Sequence, residues 1–251
     1  MARLIDAPAD GHTVRLGVVS DTHLGSQYQA LAELEAVYDE FHARGVTCVL
    51  HAGDVFAGVG MYRGQETDEL LPAVDTYSRQ VDYAEAEYPA RDGLTTYMIA
   101  GNHDLDGAFS RSLSSPVRAL ASRRRDIHYL ADDKAVLELP NGASVMVAHG
   151  RGPAGYAHSY RAQRFIESLG RKERPDLLIL GHFHRAGFFV HDGVSCVLAA
   201  CFQTQTPFLA ANGIEPDVGG FVVSVTAAGG QLVGTSVDWI GRPVGLGKRA
   251  A

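Results

Sequence analysis

Apolar positions along the chain fall in short runs that alternate with stretches of helical spacing. RLGVVS at 15–20 is continuous enough for a buried strand, and Leu31, Leu34, Tyr38 and Phe41 after it share one face of a helix. Gly45 stands where that helix would stop. VTCVLH at 46–51 and TTYMIA at 95–100 repeat the strand pattern. Between them, 65–87 reads as mainly helical, broken by Pro72 and closed by Pro89. Further helices are expected near 114–124 and 160–169. In the second half SVMVAH, DLLILG, SCVLAA and FVVSVT read as strands with little helix between them, and VLEL ahead of Asn141 and Gly142 predicts a hairpin. Alternating β and α units first, then consecutive strands, predict a mixed pair of sheets flanked by helices in one compact domain, 1–251.

Composition narrows the setting. The 251 residues are 46% hydrophobic and 20% charged, ordinary for a globular chain with a sizeable core. No run approaches the about 18 apolar residues that span a bilayer, and the first residues lack the apolar stretch of a secretory signal. Cys48, Cys196 and Cys201 sit in apolar surroundings without metal-type spacing and read as buried free thiols. A cytoplasmic protein without membrane contact is the expectation. The formal net charge of −7 argues against gripping duplex nucleic acid through surface charge. It does not exclude a nuclease, because bound cations reverse the local field.

The residues just past each strand carry the chemistry. Asp21 and His23 follow the first strand, Asp54 the second, and Asn102, His103 and Asp104 the third. His149 ends SVMVAH, and His182 and His184 follow DLLILG. In α/β sheets, sites assemble outside the carboxyl ends of strands. Singly, each residue has an ordinary reading: Asp54 as a cap or turn residue, Asn102 as a turn, each histidine as a satisfied half-buried imidazole. Together, segment after segment delivers Asp, His and Asn to one edge, and these are ligands suited to zinc, manganese or iron. They are too many for one tetrahedral ion but fit two ions sharing a carboxylate. Asp54 is the natural bridge, with two oxygens to divide between them.

DTH, GD, GNHD, an isolated His before Gly, and GHFH, in that order, resemble the calcineurin-like metallophosphoesterases over most of the chain, from about residue 14 into the last strands. YRGQE and CFQTQTPF are closest in look to phage and prokaryotic phosphoesterases related to repair exonucleases. The resemblance implies a four-layer α/β/β/α sandwich, with a core of about 14–240 and an insertion near 55–95 as a substrate cap. It implies two divalent ions, one held by Asp21, His23, Asp54 and His184 and the other by Asp54, Asn102, His149 and His182. Manganese is expected, with iron or zinc as alternatives. Such ions clamp the in-line displacement at phosphorus and generate the attacking hydroxide. His103 matches the catalytic histidine, acting on the substrate as a general acid for the leaving oxygen or as a donor stabilising the transition state, and Asp104 would orient or polarise it.

Substrate choice is less legible. Tyr62 and Arg63 offer an aromatic face and a guanidinium, or else a solvent-facing loop. The turn-rich 200–220 could wall the site or form a dimer contact; a structural role is the expectation. SRRRD at 122–126 reads as a solvated helix end, and Tyr156 and His158 as further candidate contacts. The leading expectation is a phosphodiesterase. A DNA or RNA nuclease and a noncatalytic accessory subunit are the alternatives, and monoester hydrolysis stays open. The partner is a phosphoester, which includes a nucleotide or nucleic acid, and a homodimer is left open.

Overall fold

The structure is a computed structural model that describes residues 12–107, 115–153 and 155–241, together with the backbone of 2–3 and 9–10. The first half contains β1 (Ala2–Arg3), β2 (Ala9–Asp10), β3 (Thr13–Val19), α1 (Leu31–Ala43), β4 (Cys48–His51), α2 (Gln65–Asp68), α3 (Tyr77–Glu87), β5 (Thr95–Ile99), α4 (Asn102–Leu105) and α5 (Pro116–Arg123). The second contains β6 (Ile127–Ala131), β7 (Lys134–Glu138), β8 (Ser144–His149), α6 (Tyr160–Ser168), β9 (Leu177–Gly181), β10 (Gly187–His191), β11 (Val194–Leu198), α7 (Pro207–Ala211), β12 (Gly219–Ala228) and β13 (Gln231–Gly241). One sheet runs β13-β12-β3-β4-β5-β6 with β2 beside β3; the other runs β1-β7-β8-β9-β11-β10.

Side-chain alternation sets the layers. Val14, Leu16 and Val18 of β3 and Leu50 of β4 point between the sheets, where they meet Val145 and Val147 of β8, Ile179 of β9 and Val197 of β11. Val19, Val49 and Met98 face the other way, beneath Leu34, Tyr38 and Phe41 of α1, Val81 of α3 and Leu120 of α5. Met146, Leu178 and Cys196 leave the second sheet outward, against Ala162 and Ile166 of α6. Three apolar seams thus separate four layers, α/β/β/α, as the resemblance implies. Fully burying one such aliphatic or aromatic side chain contributes about 1.5–3 kcal/mol.

Strand direction positions the site. β3, β4 and β5 are parallel neighbours, as are β8 and β9, so their carboxyl ends emerge on one edge of the sandwich. The pairings Val19 with His51 and His149 with Gly181 put the following turns level with one another.

Most expected elements form, and Pro72 does interrupt the helical stretch, leaving α2 and α3. The β7–β8 hairpin turns through Gly142, at φ 85. β1, β2, α4, β6, β10, β13 and α7 have no counterpart among the expected elements. β13 and β10 are edge strands with half-exposed faces. β13 lacks the apolar run that marks a buried strand, whereas β10 carries one in Phe188, Phe189 and Val190. The three cysteines are free and buried. Among the described residues no helix is long and apolar enough to cross a membrane.

Candidate metal centre and cleft

The turns after the strands are tight and strained. Asp21, His23, Asp54, His182 and His184 have φ of 51, 43, 53, 89 and 52, and Asp192 is the one other non-glycine residue with positive φ among those described. Each such residue costs about 1–3 kcal/mol and persists only where its surroundings enforce it. The enforcement is visible: Asp21 N–H donates to the Gly53 carbonyl at 2.9 Å and His23 N–H to the Asp54 carbonyl at 3.2 Å. His182 N–H donates to Oδ2 of Asp21 at 3.0 Å.

That last bond, with a second from the Ser20 hydroxyl, occupies Oδ2 of Asp21 and leaves Oδ1 buried without a hydrogen-bond partner. Oδ1 lies 3.3 Å from Nε2 of His184 and 3.9 Å from Nε2 of His23. The two imidazole nitrogens are themselves 3.1 Å apart. An orphaned carboxylate oxygen facing two converging imidazoles is an arrangement that a cation satisfies.

Asp54 joins this group to the next. Its Oδ1 accepts the His103 backbone N–H at 2.8 Å, so only Oδ2 is left to face outward. Oδ2 lies 3.3 Å from Nε2 of His149 and 4.0 Å from Nε2 of His23. The expectation of one oxygen per ion is therefore corrected: a single oxygen faces both groups, because the other is tied to the α4 backbone. His149 donates from Nδ1 to the Ala52 carbonyl at 2.8 Å, which turns the Nε2 lone pair inward, 3.1 Å from Oδ1 of Asn102. His182 is turned by a 2.8 Å bond from Nε2 to the Gly152 carbonyl. Ligand atoms of Asp21, His23 and His184, and of Asp54, His149 and His182, each gather within 4.8 Å. The mixed nitrogen and oxygen donors fit divalent ions.

Two glycines make the convergence possible. A Cβ on Gly101 would sit 2.2 Å from Oδ1 of Asp54, and one on Gly53, at φ 91, 2.6 Å from Nδ1 of His149. Gly101→Ala is expected to displace Asp54, to lower the melting temperature, and to weaken metal uptake at least about tenfold, as loss of an outer support does. Metal titration with a parallel thermal melt checks this, and an unchanged metal affinity would contradict it.

Electrostatics separates the histidines. Burial opposes charge on His149, but Asp54 beside it lifts the imidazole to about 9. Burial likewise opposes charge on His184, and Cys201 and Asp21 outweigh it, raising the group well above the usual histidine range. Burial pushes His23 well below that range, helped by His103. His51 falls to about 4 through burial alone as the leading cause. Burial would raise Asp21 and Asp54, yet His184 holds the first well below the carboxylate range and His149 the second.

These shifts set a pH dependence for the metal-free chain. A raised imidazole contributes stability below its unfolded value of about 6.5, and that contribution is lost as pH climbs through the folded value. For His149 the loss runs up to about 9. Below about 6.5 the depressed His23 and His51 act in the opposite sense. Chelated protein is thus expected to melt lower at pH about 9 than at about 6.5, by about 1.4 kcal/mol per pH unit for each proton involved. Restored manganese should remove the difference, because ligation uses the same lone pairs. A melting temperature that rises over this interval without metal would contradict the ordering.

His103 is half-buried at the cleft, with Nδ1 donating to the Ala57 carbonyl at 2.7 Å and its ring edge-on to His23 at 4.6 Å. Asp104 does not orient it. Its carboxylate accepts backbone N–H groups from Gly101 (2.8 Å), Phe56 (2.9 Å) and Val55 (3.2 Å), stitching two ligand turns together. Burial and the Asp54 charge push Asp104 up to about 7 against those three donors. The expectation that it polarises His103 is corrected: at the third position of α4 its side chain turns back to the helix start, away from the imidazole.

The cleft over these groups has a volume of about 420 Å³. Tyr62 lines it and stacks on Phe208 at 4.7 Å. Arg63 is exposed and does not line this cleft, but it lines a smaller adjoining pocket with Tyr62, Glu69 and Phe208. Tyr156 and His158 are also exposed and outside, whereas Gly152 and Pro153 nearby contribute wall. The segment 200–220 is more than structural, because Gln203, Thr206, Phe208, Leu209 and Ile214 form one side. Sequence reasoning missed Glu69 and did not single out Gln203 within CFQTQTPF. The basic run is neutralised locally, Arg123 by Asp82 and Glu85 and Arg124 by Asp126.

A four-layer sandwich with candidate metal-ligand groups at the ends of its parallel strands has the architecture of a metallophosphoesterase. Residues 14–201 match the calcineurin-like phosphoesterase superfamily domain, and the chain belongs to that superfamily. The DNA polymerase II small subunit of Halobacterium salinarum is 29% identical over 247 residues, covering 82% of this chain and 47% of the relative. That of Pyrococcus abyssi is 25% identical over 246 residues, covering 79% and 38%. The chain thus spans about half or less of the length of these curated relatives. A solved archaeal phosphodiesterase is 17% identical with a TM-score of 0.46, covering 89% of this chain and 99% of its own.

Proposed function

We propose that the chain is a metal-dependent phosphodiesterase of the cell interior. The observation that carries this reading is Oδ2 of Asp54, turned toward both ligand groups while Asp21 presents an unsatisfied Oδ1. Asp21, His23, Asp54 and His184 would hold one divalent ion, and Asp54, Asn102, His149 and His182 the other, with manganese the activating metal. When bound, the pair neutralises phosphate charge and activates water for in-line attack. His103 serves the leaving oxygen. Its Nδ1–H stays on the Ala57 carbonyl, which leaves Nε2 as the ring atom that meets the leaving oxygen.

The relatives named as DNA polymerase II small subunits favour a second reading, an accessory role beside a polymerase large subunit. A nuclease acting on polynucleotide with the same chemistry is the third. Metal-stripped protein with manganese restored, assayed on bis-p-nitrophenyl phosphate, p-nitrophenyl phosphate and a labelled single-stranded oligonucleotide, separates them. Manganese-dependent diester cleavage is expected. Oligonucleotide products support the nuclease, and no turnover despite bound metal supports the accessory role.

A further inference from the structure

Two carboxylates line the cleft, Asp54 and Glu69. Asp54 belongs to the ligand groups, whereas Glu69 stands on the wall formed by the turn after α2 and is only 2% exposed. Its backbone is pinned: the N–H donates to the Gln65 carbonyl at 2.9 Å, and its own carbonyl accepts the Gln27 N–H at 2.8 Å. Its side chain accepts from Nε2 of Gln203 at 3.0 Å, and that nitrogen also lies 3.3 Å from the Ser26 hydroxyl. The groups bonded to this acid, an amide and the Ser26 hydroxyl, are both neutral. Neutral donors restore only part of the hydration that a buried carboxylate loses.

A carboxylate accepts about four hydrogen bonds, so acceptor capacity remains for a donor entering the cleft. Beside Glu69 the wall is apolar, with Tyr62 stacked face to face on Phe208 at 25° between planes and Leu209 and Ile214 next to them. Across the cleft stand Asp54, Asn102 and His103. An ester with its phosphorus at the ligand groups would therefore lay its organic arm along a ring-binding wall that ends in a fixed acceptor. A nucleoside supplies both features, a planar base and a donor from the base edge or the sugar hydroxyls.

We propose that Glu69 is a specificity-determining residue that accepts a hydrogen bond from the nucleoside arm of a nucleotide phosphodiester whose ring extends the Tyr62–Phe208 stack. This rests on the phosphodiesterase reading for the position of the phosphate. Gln203 holds the acceptor in place, and Ser26 anchors Gln203. A glutamine at 69 would keep the size and could still accept from Gln203. It would also turn an N–H₂ toward the incoming donor, where one acceptor is needed.

The test is calorimetric binding of GMP, dGMP, AMP and inorganic phosphate to the full chain with manganese restored, for wild type, Glu69→Gln and Phe208→Ala. Phe208 is 47% exposed, so the second variant keeps the fold if the first does not. Both variants are expected to lose about tenfold or more of the preference for a nucleotide over phosphate. In wild type, GMP and dGMP binding alike and above AMP places the donor on the base, and GMP and AMP binding above dGMP places it on the ribose. Equal binding of all four probes by wild type would overturn the proposal, as would variants that weaken phosphate as much as nucleotide. Turnover of bis-p-nitrophenyl phosphate is measured in parallel. Selectivity without turnover would sink the phosphodiesterase reading alone, and turnover without selectivity would sink the role of Glu69 alone.

Discussion

Asp54→Asn is expected to empty both metal positions and abolish turnover while the sandwich stays folded. Oδ1 of Asp54 already accepts the His103 N–H, so the asparagine oxygen is held there and its N–H₂ replaces Oδ2. That places donor hydrogens where the His149 and His23 groups converge on an acceptor. Loss of an outer hydrogen bond at a metal site costs about 10–100-fold in affinity or activity, and loss of a shared oxygen should exceed this for both ions. The apolar seams do not include Asp54, so circular dichroism should be retained. Elemental analysis after dialysis against manganese, with diester turnover, gives the result. One ion retained at full occupancy would mean that Asp54 serves a single site.

His103→Gln is expected to lower kcat by about 10²–10⁴-fold, the usual contribution of a positioned general acid, with metal content unchanged. Geometry offers a competing assignment, because His23, Asp54 and His103 also present ligand atoms within 4.8 Å of one another. The 2.7 Å bond to the Ala57 carbonyl holds Nδ1, so in either role Nε2 is the atom that acts. The variant decides between them. A fall in kcat with retained metal fits the acid. A parallel loss of bound metal makes His103 a ligand.

Much of this centre is legible in the sequence for a simple reason. Buried parallel strands read as apolar runs, and chain direction alone puts the residues after them on one edge, so Asp21, His23, Asp54, Asn102, His149, His182 and His184 could be named from position and type. The left-handed backbone at five of those seven could not, because Asp and His carry no mark of positive φ as glycine does. Asp104 misleads because adjacency in GNHD suggests contact with His103, whereas the first turn of a helix sends that side chain back toward Gly101. Glu69, Gln203 and Phe208 come from distant segments and meet only across the cleft. β13 is hidden because an edge strand with one neighbour keeps a polar, half-exposed face.

The central claim is that two ions share Asp54. Electron paramagnetic resonance of the metal-stripped chain titrated with manganese tests it most directly. Two equivalents should bind and give the exchange-coupled spectrum of a pair about 3.5–4 Å apart, and Asp54→Asn should lose that spectrum. A six-line signal from isolated manganese at saturation, or no uptake at all, would contradict a shared dinuclear centre.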